Sequence, residues 1–235
     1  MKAILLAGGL GTRISEETAD KPKPMVLING KPILWHLMNI FANQGVIEFV
    51  IATGYKGEVI QDWVKTIDNG WKITALETGL DAQTGGRIKV CMQKLAGERV
   101  FATYGDGLGN INLRDLLRFH KMQGLKGTVT AVRPPARFGV LESSNGLVTH
   151  FGEKNQTDSG WINGGFFVLE PEVERDIYQH SEPFETGAIP RLVESHQLSA
   201  YHHEGFWQPM DTLREKQELE KYSTQEVPPW LKGLK

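Results

Sequence analysis

The chain has 235 residues, 40% of them hydrophobic and 23% charged, with a formal net charge of −2. This is the balance of a globular domain without the global basic field of a nucleic-acid binder, so any anion site must be local. A single cysteine excludes an intrachain disulfide, and no apolar run reaches the ~18 residues of a membrane helix. The expectation is a cytoplasmic protein with no membrane and no nucleic-acid partner.

In chain order, Ala3-Ile4-Leu5-Leu6-Ala7 is apolar throughout, as a strand buried on both faces should be. Pro32 opens a helix carrying Ile33, Leu34, Leu37, Met38 and Phe41 at helical spacing, and Gly45 stops it. Val46 to Thr53 reads as the next strand, and Val59, Ile60, Trp63, Val64 and Ile67 mark an amphipathic helix. Strands near 72–77 and 99–104 and helices near 87–95 and 112–123 continue an alternation that predicts a parallel sheet covered on both faces. Cys91 falls in one of these helices; with no activating base beside it, it reads as a core residue.

Beyond about residue 127 the pattern changes. Thr128 to Arg133, Phe138 to Glu142 and Leu147 to Phe151 are short strands, the last two joined through Ser143-Ser144-Asn145-Gly146, where Asn-Gly suits a tight hairpin. Helices are predicted near 171–180, 186–197 and 212–222. No linker separates the halves. The predicted fold is α/β: a single Rossmann-like domain over 1–235 with a mixed sheet and helices on both faces, its first half about 1–126 and its second about 127–235. His202 and His203 are adjacent on a strand and point to opposite faces, so they do not share a metal. Trp35, Trp63 and Phe41 read as core; Trp207 suits either core or a site wall.

Gly8-Gly9-Leu10-Gly11-Thr12-Arg13 follows the first strand at once. It is not a P-loop, because the second glycine and the lysine of that pattern would fall on Arg13 and Ile14. It is not a dinucleotide fingerprint either, because the third glycine would fall on Ile14. Two readings remain: a tight turn, or backbone N–H groups brought close to a phosphate with Arg13 as a bidentate fork. Lys21-Pro22-Lys23-Pro24 favours the second. Its prolines exclude a helix and hold both lysines on a stiff extended segment, as preorganised cations near a polyphosphate should be held.

These two stretches together resemble the sugar-phosphate nucleotidyltransferase family, and Ser15-Glu16-Glu17-Thr18 between them resembles its cytidylyltransferase branch. The resemblance continues in order through Thr84-Gly85-Gly86-Arg87, Thr103-Tyr104-Gly105-Asp106-Gly107, Arg137-Phe138-Gly139, Phe151-Gly152-Glu153-Lys154, Ile162 to Phe167 and Gly205 to Thr212. It implies CTP and a sugar phosphate, foremost glucose 1-phosphate, as substrates, Mg²⁺ as cofactor, and a CDP-sugar with pyrophosphate as products. A homo-oligomer is expected.

Nucleotide contacts are expected from Leu6, Ala7, Gly8, Gly9, Gly11, Thr12, Arg13, Lys23, Thr84, Gly85, Arg87 and Gly105, with Arg13 and Lys23 also offsetting charge in the reaction. Asp106 ends an apolar strand between two glycines, where an α/β sheet presents ligands; an acidic group beside a triphosphate needs a cation between them. Asp106 is otherwise an aspartate in a glycine-rich turn, and Asp211 is otherwise a helix cap. The resemblance implies that both bind the metal. Thr84-Gly85-Gly86-Arg87 opens a helix whose N–H groups face a base or phosphate. Gly139, Glu153, Lys154, Asn163 and Gly164 are implied on the acceptor side, although Glu153 and Lys154 also suit a plain exposed pair.

One departure is the segment 69–83, shorter than in the relatives this chain resembles. It leaves open a different phosphorylated sugar or small metabolite as acceptor. A catalytically silent nucleotide sensor of the same fold is the rival, and the joint presence of Arg13, Lys23, Asp106 and Asp211 argues against it.

Overall fold

The computed structural model describes residues 1–95, 97–134, 139–144, 147–153 and 160–234. Its strands are β1 (Lys2–Leu6), β2 (Leu27–Ile28), β3 (Lys31–Pro32), β4 (Glu48–Thr53), β5 (Lys72–Glu77), β6 (Val100–Tyr104), β7 (Gly107–Gly109), β8 (Gly127–Val132), β9 (Gly139–Ser144), β10 (Leu147–Glu153), β11 (Ile162–Asn163), β12 (Phe167–Leu169), β13 (Leu198–His203) and β14 (Trp207–Pro209). Its helices are α1 (Ser15–Thr18), α2 (Ile33–Ala42), α3 (Gly57–Val64), α4 (Thr84–Lys94), α5 (Leu113–Gln123), α6 (Ala188–Glu194) and α7 (Leu213–Ser223).

β1 is central. It pairs in parallel with β4 and β6, and β4 pairs in parallel with β5. Beyond β6 the direction reverses: β12 runs antiparallel to both β6 and β8, β11 antiparallel to β8, and β13 closes the far side of β8 in parallel. The result is a mixed α/β sheet: parallel through β5, β4, β1 and β6, as the alternation predicts, and mixed in the second half, as the change of pattern after about residue 127 predicts. Successive residues of β1 go to opposite faces, as the two-residue repeat of a strand requires. Ala3 and Leu5 join the core with Phe49, Ile51, Phe101 and the α2 residues Leu34, Leu37 and Phe41. Ile4 and Leu6 join the other core with Val50, Ala102, Ile88, Cys91 and Leu192. Cys91 is fully buried, and burial pushes its thiol up to about 12, which suits a packing residue rather than a nucleophile.

The predicted helix near 171–180 is instead a 3-10 segment, Pro171–Asp176, followed by extended Ile177. Pro171 presets the first turn, but the segment breaks off before the Val173/Ile177 spacing completes a second α-turn. The helix predicted at 186–197 shortens to α6. β9 and β10 form the expected antiparallel pair, with Leu147 opposite Ser144; residues 145–146 lie outside the described residues. Among the described residues, no helix is long and apolar enough to cross a membrane.

Candidate active site

The parallel strands β1, β4, β5 and β6 all end on one side of the sheet, where open α/β folds place their ligands. There a cleft of about 550 Å³ opens, bordered by the loop after β1, the Lys23–Pro24 turn, the start of α4, the end of β6 and the segment that follows β14.

The loop after β1 is shaped from beneath. Gly11 sits at φ 66°, a conformation that favours glycine, and its carbonyl accepts the Ile14 N–H and the Thr18 hydroxyl. The Gly8 carbonyl accepts Arg87 Nη2 at 3.0 Å and the Tyr55 N–H at 3.3 Å. A Cβ on Gly8 would lie 2.2 Å from Arg87 Nη1, so only glycine admits the guanidinium there. Among the described residues, the N–H groups of Gly8, Gly9 and Leu10 meet no protein acceptor, and Gly9 and Leu10 are exposed at the cleft. These are the unsatisfied donors that an anion would take up.

Lys21-Pro22-Lys23-Pro24 is not uniformly extended. Pro22 is extended, but Lys23–Met25 forms one turn of 3-10 helix. Proline's fixed φ suits a first helical turn, and Pro24 lies where its missing N–H costs no bond. This turn separates the two lysines. Lys21 is 3.9 Å from Asp20, away from the cluster, whereas Lys23 Nζ lies 2.6 Å from both Asp106 Oδ2 and Asp211 Oδ1. Burial of Lys23 lowers its pKa, but the Asp106 and Asp211 carboxylates outweigh that and hold it above the usual lysine value. Arg13, largely exposed, reaches Asp211 Oδ2 at 2.8 Å.

Asp106 and Asp211 lie 105 positions apart, and a short two-stranded ribbon brings them together. β7 and β14 pair antiparallel with Gly107 opposite Pro209, and the Met210 N–H donates to the Asp106 carbonyl at 2.9 Å. Asp211 does not cap α7. Thr212 does, so the Asp211 carboxylate is available to the cluster. Trp207 borders the cleft, its Nε1 donating to the Gly164 carbonyl at 2.9 Å.

The start of α4 differs from the expectation of N–H groups facing a ligand. Gln83 and Gly85 donate their N–H groups to the His180 and Glu182 carbonyls. Thr84 and Arg87 border the cleft and Gly85 does not. Arg87 is 5% exposed; besides Gly8 it donates to the Thr53 carbonyl at 2.9 Å and the Thr78 hydroxyl at 2.5 Å. Burial lowers its pKa.

On the acceptor side, Asn163 borders the cleft. Gly164 donates its N–H to the Thr130 carbonyl. Gly139 and Glu153 pair across the β9–β10 ribbon, and Lys154 lies outside the described residues. Sequence reasoning missed Glu185, whose carboxylate accepts the Tyr104 hydroxyl at 2.5 Å and the Thr84 hydroxyl at 2.7 Å. Among the described residues no cluster of three or more histidine, cysteine or acidic side chains could hold a metal ion, so a metal here would rest on two carboxylates and its substrate. His202 packs on Trp161 and His203 bonds Asn110 Oδ1, so the adjacent histidines serve different partners.

The chain and its fold are similar to those of known proteins. The nucleotidyl transferase family model matches residues 2–215. The chain is 42% identical over 254 aligned positions to a glucose-1-phosphate cytidylyltransferase of Salmonella typhi, covering 98% of each, and 40% identical to a probable glucose-1-phosphate cytidylyltransferase of Bacillus subtilis, covering 98% of this chain and 99% of the relative. Because 254 aligned positions exceed the 235 residues of this chain, the Salmonella protein carries residues that this one lacks. The fold also matches the crystal structure of HddC from Yersinia pseudotuberculosis, with a TM-score of 0.73 over 94% of this chain and 98% of that one, at 24% identity. A glycine loop with open N–H groups, an ammonium shared by two carboxylates, and a family match over nearly the whole chain lead to one conclusion: the protein belongs to the nucleotidyl transferase family and is an enzyme of nucleotidyl transfer.

Proposed function

We propose that the protein transfers the cytidylyl group of CTP to glucose 1-phosphate, giving CDP-glucose and pyrophosphate. The transfer chemistry rests on one observation above all: Lys23 Nζ bonded at 2.6 Å to both Asp106 and Asp211, beside the open N–H groups of the glycine loop. The choice of base and acceptor rests on similarity to relatives named for that reaction over 98% of this chain.

In the proposed step, a phosphate oxygen of glucose 1-phosphate attacks the α-phosphorus of CTP. The new P–O bond forms as the bond to the α,β-bridging oxygen breaks, and that electron pair leaves on pyrophosphate. No general base is required, because a phosphate monoester with a second pKa of ~6 is already largely ionised at neutral pH. What the chain supplies is position and charge. The N–H groups of Gly8, Gly9 and Leu10 receive phosphate oxygens. Arg13 and Lys23 offset charge on the α-phosphate and the departing pyrophosphate.

Family members generally use a divalent metal. The donor set fits Mg²⁺, which takes hard oxygen ligands, one or two of them protein carboxylates and the rest substrate phosphates and water. Asp106 and Asp211 would hold it, and when bound it neutralises triphosphate charge.

The base choice has a physical counterpart in Arg87. A guanidinium only donates, and its Nε–H has no acceptor among the described residues. Cytosine offers acceptors at O2 and N3; uracil carries a donor at N3.

The test incubates the purified chain with Mg²⁺, each of four nucleoside triphosphates and a panel of sugar 1-phosphates, following pyrophosphate and identifying the product by mass. CTP with glucose 1-phosphate should give the fastest release. A dominant product with another base or another acceptor would replace the corresponding part of the proposal.

A further inference from the structure

Side chains from four separate segments form one chain of hydrogen bonds along the cleft wall, and its direction is fixed from both ends. At one end the Gly165 N–H donates to Asn163 Oδ1 at 2.9 Å, which allows the amide a single orientation. Asn163 Nδ2 then donates to the Tyr104 oxygen at 2.9 Å, and the Tyr104 hydroxyl donates to Glu185 Oε1 at 2.5 Å. At the other end the Phe184 N–H donates to Thr84 Oγ1 at 2.8 Å, and the Thr84 hydroxyl donates to Glu185 Oε2 at 2.7 Å. Donors converge on Glu185 from both sides. The residue where they meet must accept twice and donate nothing, which an ionised carboxylate does and an amide does not.

We propose that Glu185 is a positioning residue for the acceptor substrate: it fixes the Tyr104 hydroxyl, and through it the Asn163 amide, so that the second Nδ2 proton of Asn163 is held toward the cleft as a donor to an oxygen of the phosphorylated sugar. This rests on reading the cleft as a sugar-phosphate site. Asn163 is exposed at the cleft, in company with Tyr104, Trp207 and Asp211. The Trp207 bond to the Gly164 carbonyl anchors the next residue, so Asn163 is fixed by its backbone as well as its amide. The chemistry selected is an acceptor oxygen, hydroxyl or phosphate. A deoxy or ammonium group at the same point leaves the Asn163 donor unmatched.

The test measures KM for each substrate and kcat in Glu185→Gln, Tyr104→Phe and their double variant, with thermal midpoints alongside. Glu185→Gln should raise the KM for the sugar phosphate by about tenfold, the cost of one mismatched buried hydrogen bond, with kcat and the KM for CTP within about twofold. Tyr104→Phe should do the same, and the double variant should be no worse than either single one, because each cuts the same relay. An unchanged acceptor KM in Glu185→Gln, additive effects, or equal losses for both substrates would overturn the proposal. Asn163→Ala separates the two levels. If it leaves the acceptor KM unchanged, the acceptor reading of this wall fails; if it raises that KM while Glu185→Gln does not, only the relay fails. If Glu185→Gln does not fold, the cycle of Tyr104→Phe with Asn163→Ala decides, because the relay requires those two to be non-additive on the acceptor KM. Should the parent turn over another sugar phosphate instead, the same series is run with that acceptor.

Discussion

The carboxylate of Glu215 accepts the backbone N–H of Asp211 at 2.6 Å and that of Thr212 at 3.0 Å, from inside the first turn of the helix those residues precede. Thr212 Oγ1 accepts the Glu215 N–H in return, completing a capping box. Glu215, 6% exposed, therefore holds the main chain of a cluster residue. Glu215→Ala should cost about 1 kcal/mol of stability, as a lost cap does, and should lower turnover by displacing Asp211; Glu215→Gln should recover most of both. Thermal denaturation and pyrophosphate release measure the two effects. Normal turnover in the destabilised alanine variant would show that Asp211 does not depend on the cap.

Asp106 and Asp211 are expected to be indispensable to turnover. Replacing either with alanine should reduce it roughly 10²-fold or more, because the charge stabilisation of a bound divalent ion amounts to several kcal/mol. The fold should persist, since both carboxylates are partly exposed and neither lies in the apolar core. Circular dichroism and activity at varied Mg²⁺ give the readout. Full activity in either variant, still dependent on Mg²⁺, would reject the pair as the metal site.

Lys23 is tested separately, because it carries charge opposite to that of its neighbours. Lys23→Ala should lose ~10²–10³ in turnover, the range for removing one preorganised electrostatic donor. Lys21→Ala should lose far less, as its side chain lies away from both carboxylates and only 3.9 Å from Asp20. Equal losses for the two lysines would mean that the 3-10 turn at Lys23 does not discriminate between them.

Stability should fall as the solution is acidified from pH 7. His36, His120 and His203 all have pKa values lowered from 6.5, each chiefly by burial. Glu170 at His120 favours the protonated ring and Arg99 opposes it, but desolvation of the ring outweighs the carboxylate. The unfolded chain therefore binds these protons at higher pH than the folded one does. The contribution is complete above about 6.5 and is lost as the pH falls below it toward the folded values. Glu170, held below 4.5 by Arg99 and His120 against the opposing effect of burial, adds a further loss at lower pH. Thermal midpoints between pH 7.5 and 5 should decline; a flat profile would contradict the buried neutral histidines.

What was legible in the sequence was local. The apolar run of β1 and the spacing in α2 each state their structure within a dozen residues, and the structure repeats them. The glycine loop and Lys23 were legible for the same reason. The β7–β14 ribbon was not. Two three-residue strands far apart in sequence carry no periodicity, yet they bring Asp106 beside Asp211. That convergence was available only through the family resemblance. Glu185 gave no signal at all: it sits in Ser181-Glu182-Pro183-Phe184-Glu185, a stretch with no motif, and its importance lies in partners about 80 and 100 residues away. Arg87 was found by motif, but as a ligand contact on a helix start. Its bracing of Gly8 from below is a packing fact that only three dimensions display.

Arg87 also carries the prediction on base choice. The guanidinium is sandwiched between Gly8 and Gly54, where a Cβ would approach it to 2.2 and 2.5 Å respectively, so it cannot swing to suit a different base. A fixed donor-only group matches the two acceptors of cytosine and opposes the N3–H of uracil. One mismatched polar pair costs about 1–3 kcal/mol, or roughly tenfold to a hundredfold in preference. With equal CTP and UTP in competition, the parent should therefore make CDP-sugar in at least tenfold excess. Purine nucleotides should be poorer still, because a purine is larger than the pyrimidine this reading assigns to the site. Arg87→Lys removes the fork but keeps the charge, and should narrow the CTP preference to a few-fold, at a cost in stability from the lost bonds to Thr53, Thr78 and Gly8. Product ratios by mass spectrometry, measured below the melting temperature of each variant, make the comparison. A parent that favours UTP would reverse the assigned base and leave Lys23, Asp106 and Asp211 in their roles. A lysine variant that keeps the full CTP preference would locate the discrimination elsewhere in the cleft.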